Sequence, residues 1–216
     1  MMAAKFAAVV VVAYLLGSIP FGLIIGKLKS GIDIRTQGSG KTGATNLMRV
    51  AGTRLGVVAL VLDVVKAAVA VMLATLIIGH DSGVVTIGGV SVYWQHIAQV
   101  SAGLAAVIGH NWPVFAKFKG GRGVTAYFGT IFAIFPPAGI FGAEVLAIAA
   151  LRSRHMSLGS LLGALATWCL MLPLSVAYHL LPPIYLVYGS VVIALIVYQH
   201  RDNIKRLRQG TERRLW

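Results

Sequence analysis

The sequence predicts an all-α integral membrane protein with about seven transmembrane helices, some of them short or broken by proline. Hydrophobic residues make up 57% of the 216 residues and charged residues only 12%, whereas roughly a quarter of a soluble domain is charged. The mean hydropathy is +0.82, and apolar runs of about 20 residues, the length that crosses a bilayer, recur along the chain. We expect a single polytopic domain over residues 1–216.

The apolar runs define the expected spans. Their bounds lie near residues 6–26, 55–79, 97–115, 124–151, 157–178 and 183–199. The fourth run is long and contains Pro136-Pro137, and proline breaks helices. Dividing this run there places the basic loops before and after it on one face of the membrane, as the positive-inside rule favours. The number of transmembrane helices is then seven. A five-span arrangement, with fewer full crossings near the proline pairs, is the alternative.

Seven spans place the amino terminus outside the cell and the carboxyl terminus in the cytoplasm. Every lysine and arginine except Lys5 and Lys66 then lies on the inner side. The outer loop between His80 and His96 contains neither residue type. This asymmetry is typical of the positive-inside rule.

Two charged residues fall inside the second span. Asp63 and Lys66 are three residues apart, so they share a helix face and can pair. We expect a structural pair, with a role in steadying a site as the alternative. The role of His110, in the third span, is open between structure and support of a site.

The net charge of +13 has three explanations, which are nucleic-acid binding, positive-inside bias and an anionic substrate. The apolar spans argue against the first, because nucleic-acid binding needs a basic surface on a soluble fold. We therefore expect no nucleic-acid partner, while the other two explanations are compatible with each other.

The first inner loop combines glycines with cations and hydroxyls. It reads GSGKTGATN from Gly38 to Asn46, with Arg49 shortly after, and its glycines let backbone amides approach an anion closely. Gly40-Lys41-Thr42 suggests a Walker loop, but that motif needs a glycine where Arg35 stands and a preceding strand. From composition alone, a phosphate loop and a flexible connector stay equally open.

Two further inner segments carry related chemistry. The second loop reads KGGRG from Lys119 to Gly123, where a turn with positive-inside charge is the alternative to an anion site. His200 and Asn203 lie at the inner end of the last helix, on one helix face. Glycine loops lead into the second and fourth helices and Ser160 lies near the start of the sixth, so three positive helix ends face inward. We expect these groups to converge on one phosphate pocket.

Several catalytic patterns are absent from the sequence. The six acidic residues form no cluster with metal-ligand spacing. No histidine is followed five residues later by aspartate, and no Gly-x-Ser-x-Gly nucleophile motif occurs. The pattern is therefore phosphate binding without a metal or a covalent nucleophile, and we expect no cofactor.

These three inner motifs, with His110-Asn111-Trp112-Pro113 before the second, resemble those of the bacterial acyl-phosphate-dependent glycerol-3-phosphate acyltransferases. The resemblance runs from Gly17 to Glu212. It implies a multi-pass inner-membrane enzyme whose active site faces the cytoplasm. Such an enzyme moves a fatty acyl group from acyl phosphate to the 1-hydroxyl of glycerol 3-phosphate, which yields lysophosphatidic acid and phosphate and begins phospholipid synthesis. The implied partners are these two substrates, membrane lipid and the enzyme that forms acyl phosphate.

The resemblance also implies residue roles. The catalytic residues would be Ser39, Arg49, Arg122, His200 and Asn203. The residues that bind substrate and phosphate would be Gly38, Gly40, Gly43, Thr45, Asn46, Lys119, Gly120, Gly121 and Ser160. Two positions depart from the family pattern, since Lys41 stands where asparagine is usual and Arg122 where lysine is usual. Both keep or add positive charge, although the geometry of the donors differs.

The proton acceptor has two candidates. We expect an oxygen of a substrate phosphate to take the hydroxyl proton, with His200 as the alternative general base and a purely structural hydrogen bond as a third role for this histidine. Two other functions stay open. A transporter of a phosphorylated small solute would use the same loops, although the sequence shows no internal repeat. A scaffold that binds anionic lipid through its tail would leave the glycine loops unexplained.

Overall fold

The computed structural model describes residues 2–79, 83–87 and 90–215. The regular secondary structure in these ranges is helical apart from one small hairpin. The helices are α1 Met2–Gly17, α2 Phe21–Ser30, α3 Ala44–Ala51, α4 Thr53–Ile78, α5 Trp94–Asn111, α6 Val124–Ile134, α7 Pro136–Ser153, α8 Met156–Val176, α9 Ile184–Gln199 and α10 Arg201–Arg208. The strands are β1 Val84–Ile87 and β2 Val90–Tyr93. One-turn 3-10 helices occupy Ile34–Thr36 and Val114–Ala116.

Three helical segments among the described residues are long and apolar enough to cross a bilayer. They are Met2–Ser30, Thr53–Ile78 and Met156–Val176, and α9 with α10 makes a fourth if this pair, bent by 62°, is counted as one span. Large apolar side chains project outward from α4, where Leu76 is 76% exposed and Met72 56%. Such a surface suits lipid rather than water. Length and hydropathy thus identify three or four spans, fewer than the seven expected.

The proline pair divides the chain as predicted. Phe135 separates α6 from α7, and Pro136 begins α7, where its missing N–H removes no helical hydrogen bond. With 11 residues, α6 rises only about 16 Å, roughly half of the ~30 Å hydrocarbon core. The second proline pair likewise precedes α9.

Small residues let the helices pack closely. α7 packs along α8, α1 along α5, and α4 against both α5 and α6. Gly142 and Gly163 lie at the α7–α8 contact, where an added Cβ on either would meet the carbonyl of the other at 2.8 or 2.6 Å. Larger side chains fill the centre, among them Tyr127, Ile131 and Ile196, which are fully buried. Close approach through small residues is the usual packing of helices in membranes.

The segment between α4 and α5 contains structure that the sequence pattern did not indicate. β1 and β2 pair antiparallel, with Val84 opposite Tyr93 and Val85 opposite Val92. α5 then begins at Trp94, three residues before the expected start of the third span. His80, the expected first residue of this loop, lies outside the described residues.

Candidate functional site

The buried side chain of Asn46 holds the first glycine loop through hydrogen bonds to the loop backbone. The Oδ1 of Asn46 accepts a hydrogen bond from the backbone N–H of Ser39 at 2.7 Å. Its Nδ2 donates to the carbonyl oxygens of Ile34, Lys41 and Gln37 at 2.7, 2.9 and 3.2 Å. The two amide hydrogens of Asn46 are therefore engaged by the backbone. Asn46 is thus the anchor that shapes the loop, and its expected role in binding phosphate stays a prediction.

The loop leads into an extra short helix. The sequence interpretation joined this loop directly to the second span, whereas α3 intervenes and presents Thr45 in its first turn and Arg49 in its last. Gly38 has a φ of +59°, and a Cβ there would overlap the Asn46 amide oxygen. The left-handed turn at Gly38 lets the chain cross over Asn46, so this glycine shapes the loop rather than contacting a ligand.

The second glycine loop is packed against His110. Gly121 donates its backbone N–H to the carbonyl oxygen of His110 at 3.0 Å, and a Cβ on Gly121 would overlap the imidazole ring. The carbonyl oxygen of Gly120 accepts a long hydrogen bond from Thr42 at 3.5 Å. The two glycine loops are therefore in contact, and His110 fixes the position of the second.

A buried charged group lies beneath His110. The Nζ of Lys66 is 2.7 Å from Asp63 Oδ1 and donates to the carbonyl oxygen of Ile19, between α1 and α2, at 2.6 Å. The same carboxylate oxygen lies 3.7 Å from His110 Nδ1. The predicted pair is confirmed. Its carboxylate also connects α4 to the ring that packs against the second loop, and the alternative role, in steadying a site, stays a prediction.

Glu212 is a site residue that the sequence analysis missed. Its Oε1 accepts hydrogen bonds from Asn203 Nδ2 at 2.6 Å and Ser157 Oγ at 3.0 Å, and its Oε2 accepts from Arg206 Nε at 2.8 Å. Burial disfavours its charge, but these three donors outweigh burial and lower the pKa of Glu212. An acid near the end of a strongly basic tail, which otherwise contains only Asp202 as an acidic residue, was the available sequence signal.

His200 lies at the joint between α9 and α10. The chain bends by 62° here, so His200 and Asn203 do not share one helix face as expected, although both line the same cavity. The His200 Nδ1 hydrogen-bonds the carbonyl oxygen of Ile196 at 2.8 Å, which requires a proton on Nδ1 and leaves Nε2 as an acceptor. Burial, aided by the positive charges of Arg122 and Lys41, lowers the pKa of His200 to about 4. The ring is therefore neutral near pH 7.

The three inner motifs meet at one cavity of about 240 Å³, called here the main cavity. Its polar lining includes most of the predicted site residues, namely Ser39, Gly43, Thr45, Asn46, Arg49, Gly121, Arg122, Ser160, His200 and Asn203, together with Lys41 and Glu212. The expected convergence of the motifs on one pocket is thus found in the structure.

The remaining predicted residues lie elsewhere. Gly40, Lys119 and Gly120 line a neighbouring depression of about 250 Å³, called here the second cavity, with Lys41 on its border with the main cavity. Gly38 lines neither cavity. Lys119, expected to neutralise phosphate in one shared pocket, is therefore placed beside that pocket instead.

Positive charge dominates the polar side of the main cavity. Burial lowers the pKa values of Lys41 and Arg49, and it lowers the pKa of Arg122 to about 10. Arg122 therefore stays charged near pH 7. The Nε atoms of both arginines and the Oδ1 of Asn203 are buried without a hydrogen-bond partner among the described residues. These groups can bind an anion and a hydroxyl.

The amino-terminal ends of three helices add to the positive charge of the main cavity. α3, α6 and α8 begin at the main cavity, where Thr45, Thr125 and Ser157 of their first turns form part of the lining. Free backbone N–H groups at such ends attract anions. The sequence analysis expected the amino-terminal ends of the second, fourth and sixth spans at this site. The expectation for the second span was wrong, because the start of α3 takes that place.

The main cavity continues into an apolar side. Side chains from within three helices, α4, α6 and α7, form it together with the first residue of α8, and they are Leu60, Val64, Phe128, Phe132, Ala143, Leu146 and Met156. A cationic end and an apolar end therefore share one cavity. Within the described ranges no group of three or more His, Cys, Asp or Glu side chains is placed to hold a metal ion.

Comparisons with known proteins agree with this arrangement. The family model described as glycerol-3-phosphate acyltransferase matches residues 7–210. A protein named glycerol-3-phosphate acyltransferase 3, from Dehalococcoides mccartyi (strain ATCC BAA-2266 / KCTC 15142 / 195), is 48% identical over 215 residues, which is 100% of this chain and 98% of the relative. A glycerol-3-phosphate acyltransferase from Aquifex aeolicus (strain VF5) is 40% identical over 95% of this chain and 96% of its own length.

Two solved structures share the fold. They are crystal structures of PlsY (YgiH), described as an integral membrane glycerol 3-phosphate acyltransferase, in its glycerol 3-phosphate and lysophosphatidic acid forms. Their sequence identities to this chain are 39% and 38%, and the TM-scores are 0.81 and 0.80. Each comparison covers 97% of this chain and 94% of the other. This chain therefore belongs to the glycerol-3-phosphate acyltransferase family.

Proposed function

We propose that this protein transfers a fatty acyl group from acyl phosphate to the 1-hydroxyl of glycerol 3-phosphate, releasing lysophosphatidic acid and inorganic phosphate. The observation that carries the proposal is the two-sided main cavity. Lys41, Arg49 and Arg122 supply a cationic end, and apolar side chains such as Phe132 and Leu146 supply the other. A phosphorylated acceptor and a lipidic donor need these two environments side by side. Family membership favours acyl transfer over the transport of a phosphorylated solute.

The proposed step needs no covalent enzyme intermediate. The 1-hydroxyl oxygen attacks the acyl carbonyl carbon, the bond from that carbon to the phosphate oxygen breaks, and the proton passes to an oxygen of a substrate phosphate. Holding both substrates in one cavity supplies much of the acceleration through proximity. Arg49 and Arg122 stabilise the charge that develops on the carbonyl oxygen and the leaving phosphate. A mixed anhydride already carries a good leaving group, so we propose a metal-free reaction without a cofactor.

His200 and Ser39 have positioning roles in this proposal. The Nε2 of neutral His200 accepts a hydrogen bond from a hydroxyl of glycerol 3-phosphate. A base whose pKa lies near 4 removes protons poorly at neutral pH, which favours the substrate phosphate as proton acceptor. Ser39, whose backbone is tied to Asn46, offers its hydroxyl to a phosphate. Asn203, held by Glu212, presents Oδ1 to a substrate hydroxyl.

Release of phosphate tests the proposed reaction. Purified protein in neutral detergent, incubated with palmitoyl phosphate and glycerol 3-phosphate, should release phosphate and form lysophosphatidic acid in equal amounts, also with a metal chelator present. Arg122→Gln should be strongly impaired. Arg152→Gln should not, since Arg152 is exposed and lines neither cavity. Failure of the folded wild-type protein to release phosphate in detergent and in bilayers would reject the proposal.

We further propose that the chain forms one unit with seven spans, in the inner membrane of a bacterium. In this arrangement α1 and α2 together, α4, α5, α6, α7, α8 and α9 cross or enter the membrane. The main cavity then faces the cytoplasm, where the enzyme that makes acyl phosphate can deliver its product. The charge asymmetry of the loops supports this orientation.

Single-cysteine labelling tests the orientation. With Cys169, the only cysteine in the sequence, replaced by alanine, Lys5→Cys should react with an impermeant maleimide on intact spheroplasts. Arg208→Cys should react only after the membrane is permeabilised. Reaction of Arg208→Cys on sealed spheroplasts would reverse the proposed orientation.

A further inference from the structure

The second cavity is much less apolar than the main cavity, although Trp112, Phe118 and Tyr198 form part of its lining. It is polar, and its lining contains three cations, Lys41, Lys119 and Arg201, without an acidic residue among the lining side chains. Its volume of about 250 Å³ is close to that of the main cavity. The two glycine loops separate the cavities, because Gly120 of the second loop meets Thr42 of the first. A small hydrophilic anion fits this environment.

A buried amide without a partner also lines this cavity. Asn111, at the end of α5, is only 2% exposed, and both its Nδ2 and its Oδ1 lack a hydrogen-bond partner among the described residues. Burying an unsatisfied amide is unfavourable, so such groups commonly mark a place where a ligand or water binds.

Arg201 is fixed at the edge of the second cavity. Its guanidinium stacks on the ring of Tyr198 at 4.6 Å, and its Nη1 donates to the carbonyl oxygen of the same residue at 3.1 Å. These contacts restrain a side chain that would otherwise move freely. Arg201 is exposed but restrained at the edge of the cavity, which lowers the entropy lost when it binds an anion.

Lys41 joins the two cavities. It lines both. Burial lowers the pKa of Lys41, the positive charges of Arg122 and Arg201 lower it further, and Asp202 opposes the shift. Positive charge therefore continues from one cavity to the next. The ammonium group of a lysine is mobile on a flexible stem, so it can contact an anion on either side.

We propose that the second cavity is a phosphate-binding site that receives the inorganic phosphate released in the main cavity, with Lys41 contacting both sites. The existence of the site follows from the residues that line it, whereas its role as an exit site rests on the proposed function. Moving the product to a second site would free the main cavity for the next acyl phosphate.

Equilibrium dialysis with radiolabelled inorganic phosphate tests the site. The protein is held in discs of neutral phosphatidylcholine. Wild type should bind two phosphates per chain. Arg201→Gln should weaken one of them by about tenfold, the effect of losing one charge-assisted hydrogen bond, and should leave the other unchanged. Lys205→Gln is the matched control, because Lys205 is exposed on the same helix and lines neither cavity.

Several outcomes would overturn the proposal. One phosphate per chain in wild type, with acyl transfer intact, would remove the second site and leave the proposed function standing. Equal phosphate binding by wild type and Arg201→Gln would show that this cavity is not the site. Loss of the second phosphate in discs containing phosphatidic acid would identify a lipid headgroup, not free phosphate, as the occupant. Two bound phosphates without turnover would support the site and reject the proposed function.

Discussion

Glu212 offers the most direct test of how the tail builds the site. Replacing it with alanine removes the acceptor of three donors, on Ser157, Asn203 and Arg206. Ser157 and Asn203 are buried, and a buried donor left unpaired costs about 1–3 kcal/mol. Arg206 is about one-third exposed (32%) and can bind water instead, so its loss adds little. We expect Glu212→Ala to destabilise the protein by roughly 2–6 kcal/mol.

Glu212→Gln gives a graded version of the same change. The glutamine keeps an acceptor oxygen for Asn203 and Ser157 but loses the charge, and hydrogen bonds to ionised acceptors are about twice as strong as neutral ones. We expect a loss of about 1–2 kcal/mol and a lower affinity for glycerol 3-phosphate, because Asn203 is less firmly held.

Thermal unfolding in detergent and steady-state kinetics measure these effects. A loss in the expected range lowers the unfolding temperature of Glu212→Ala by at least about 5 °C. Glu144→Gln serves as the control, because Glu144 is exposed on α7 and lines neither cavity. An unfolding temperature and KM of Glu212→Ala equal to those of wild type would refute the reasoning, since the tail would then hold Asn203 by some other contact.

Three further predictions follow from the geometry. Arg122→Lys should keep kcat/KM within about tenfold of wild type, whereas Arg122→Gln should lose roughly 10- to 100-fold, the value of one charge-assisted hydrogen bond; equal kinetics of the two variants would contradict this. Because burial lowers the pKa of His200 to about 4, protonation removes its Nε2 acceptor only as the pH falls toward that value. The residual turnover of His200→Ala should therefore vary with rising pH as in wild type, and an inflection confined to wild type would reinstate the general base. Asp63→Asn leaves Lys66 buried without its ion pair and should lower stability by about 3–5 kcal/mol, part of which Asp63→Asn with Lys66→Met should restore in thermal unfolding.

The features that could be predicted from the sequence depend on interactions within short stretches of chain. Hydropathy placed α4 and α8 to within two residues of their observed ends, because burial in lipid acts on each span separately. The break at Phe135 followed from proline geometry, which needs only neighbouring residues. The glycine loops and the resemblance of their motifs identified the chemistry of the main cavity before its shape was known.

Other features depend on contacts between distant residues. Glu212 meets Ser157 across 55 positions, and Tyr14 donates to the carbonyl oxygen of Trp112 across 98. Such contacts leave no periodic pattern in the sequence. Whether an amide such as that of Asn46 faces a ligand or its own loop is likewise decided by backbone carbonyls that surround it only after folding.

By itself, the sequence determined a helical membrane protein, its proline breaks and three inner motifs suited to phosphate, because hydropathy, proline geometry and local composition act over short stretches of chain. Only the tertiary structure decided that Asn46 holds the first loop, that Glu212 completes the site and that Lys119 lies in a second cavity. Burial and hydrogen bonding across the fold select the partners of these polar groups, and both arise only when the helices pack.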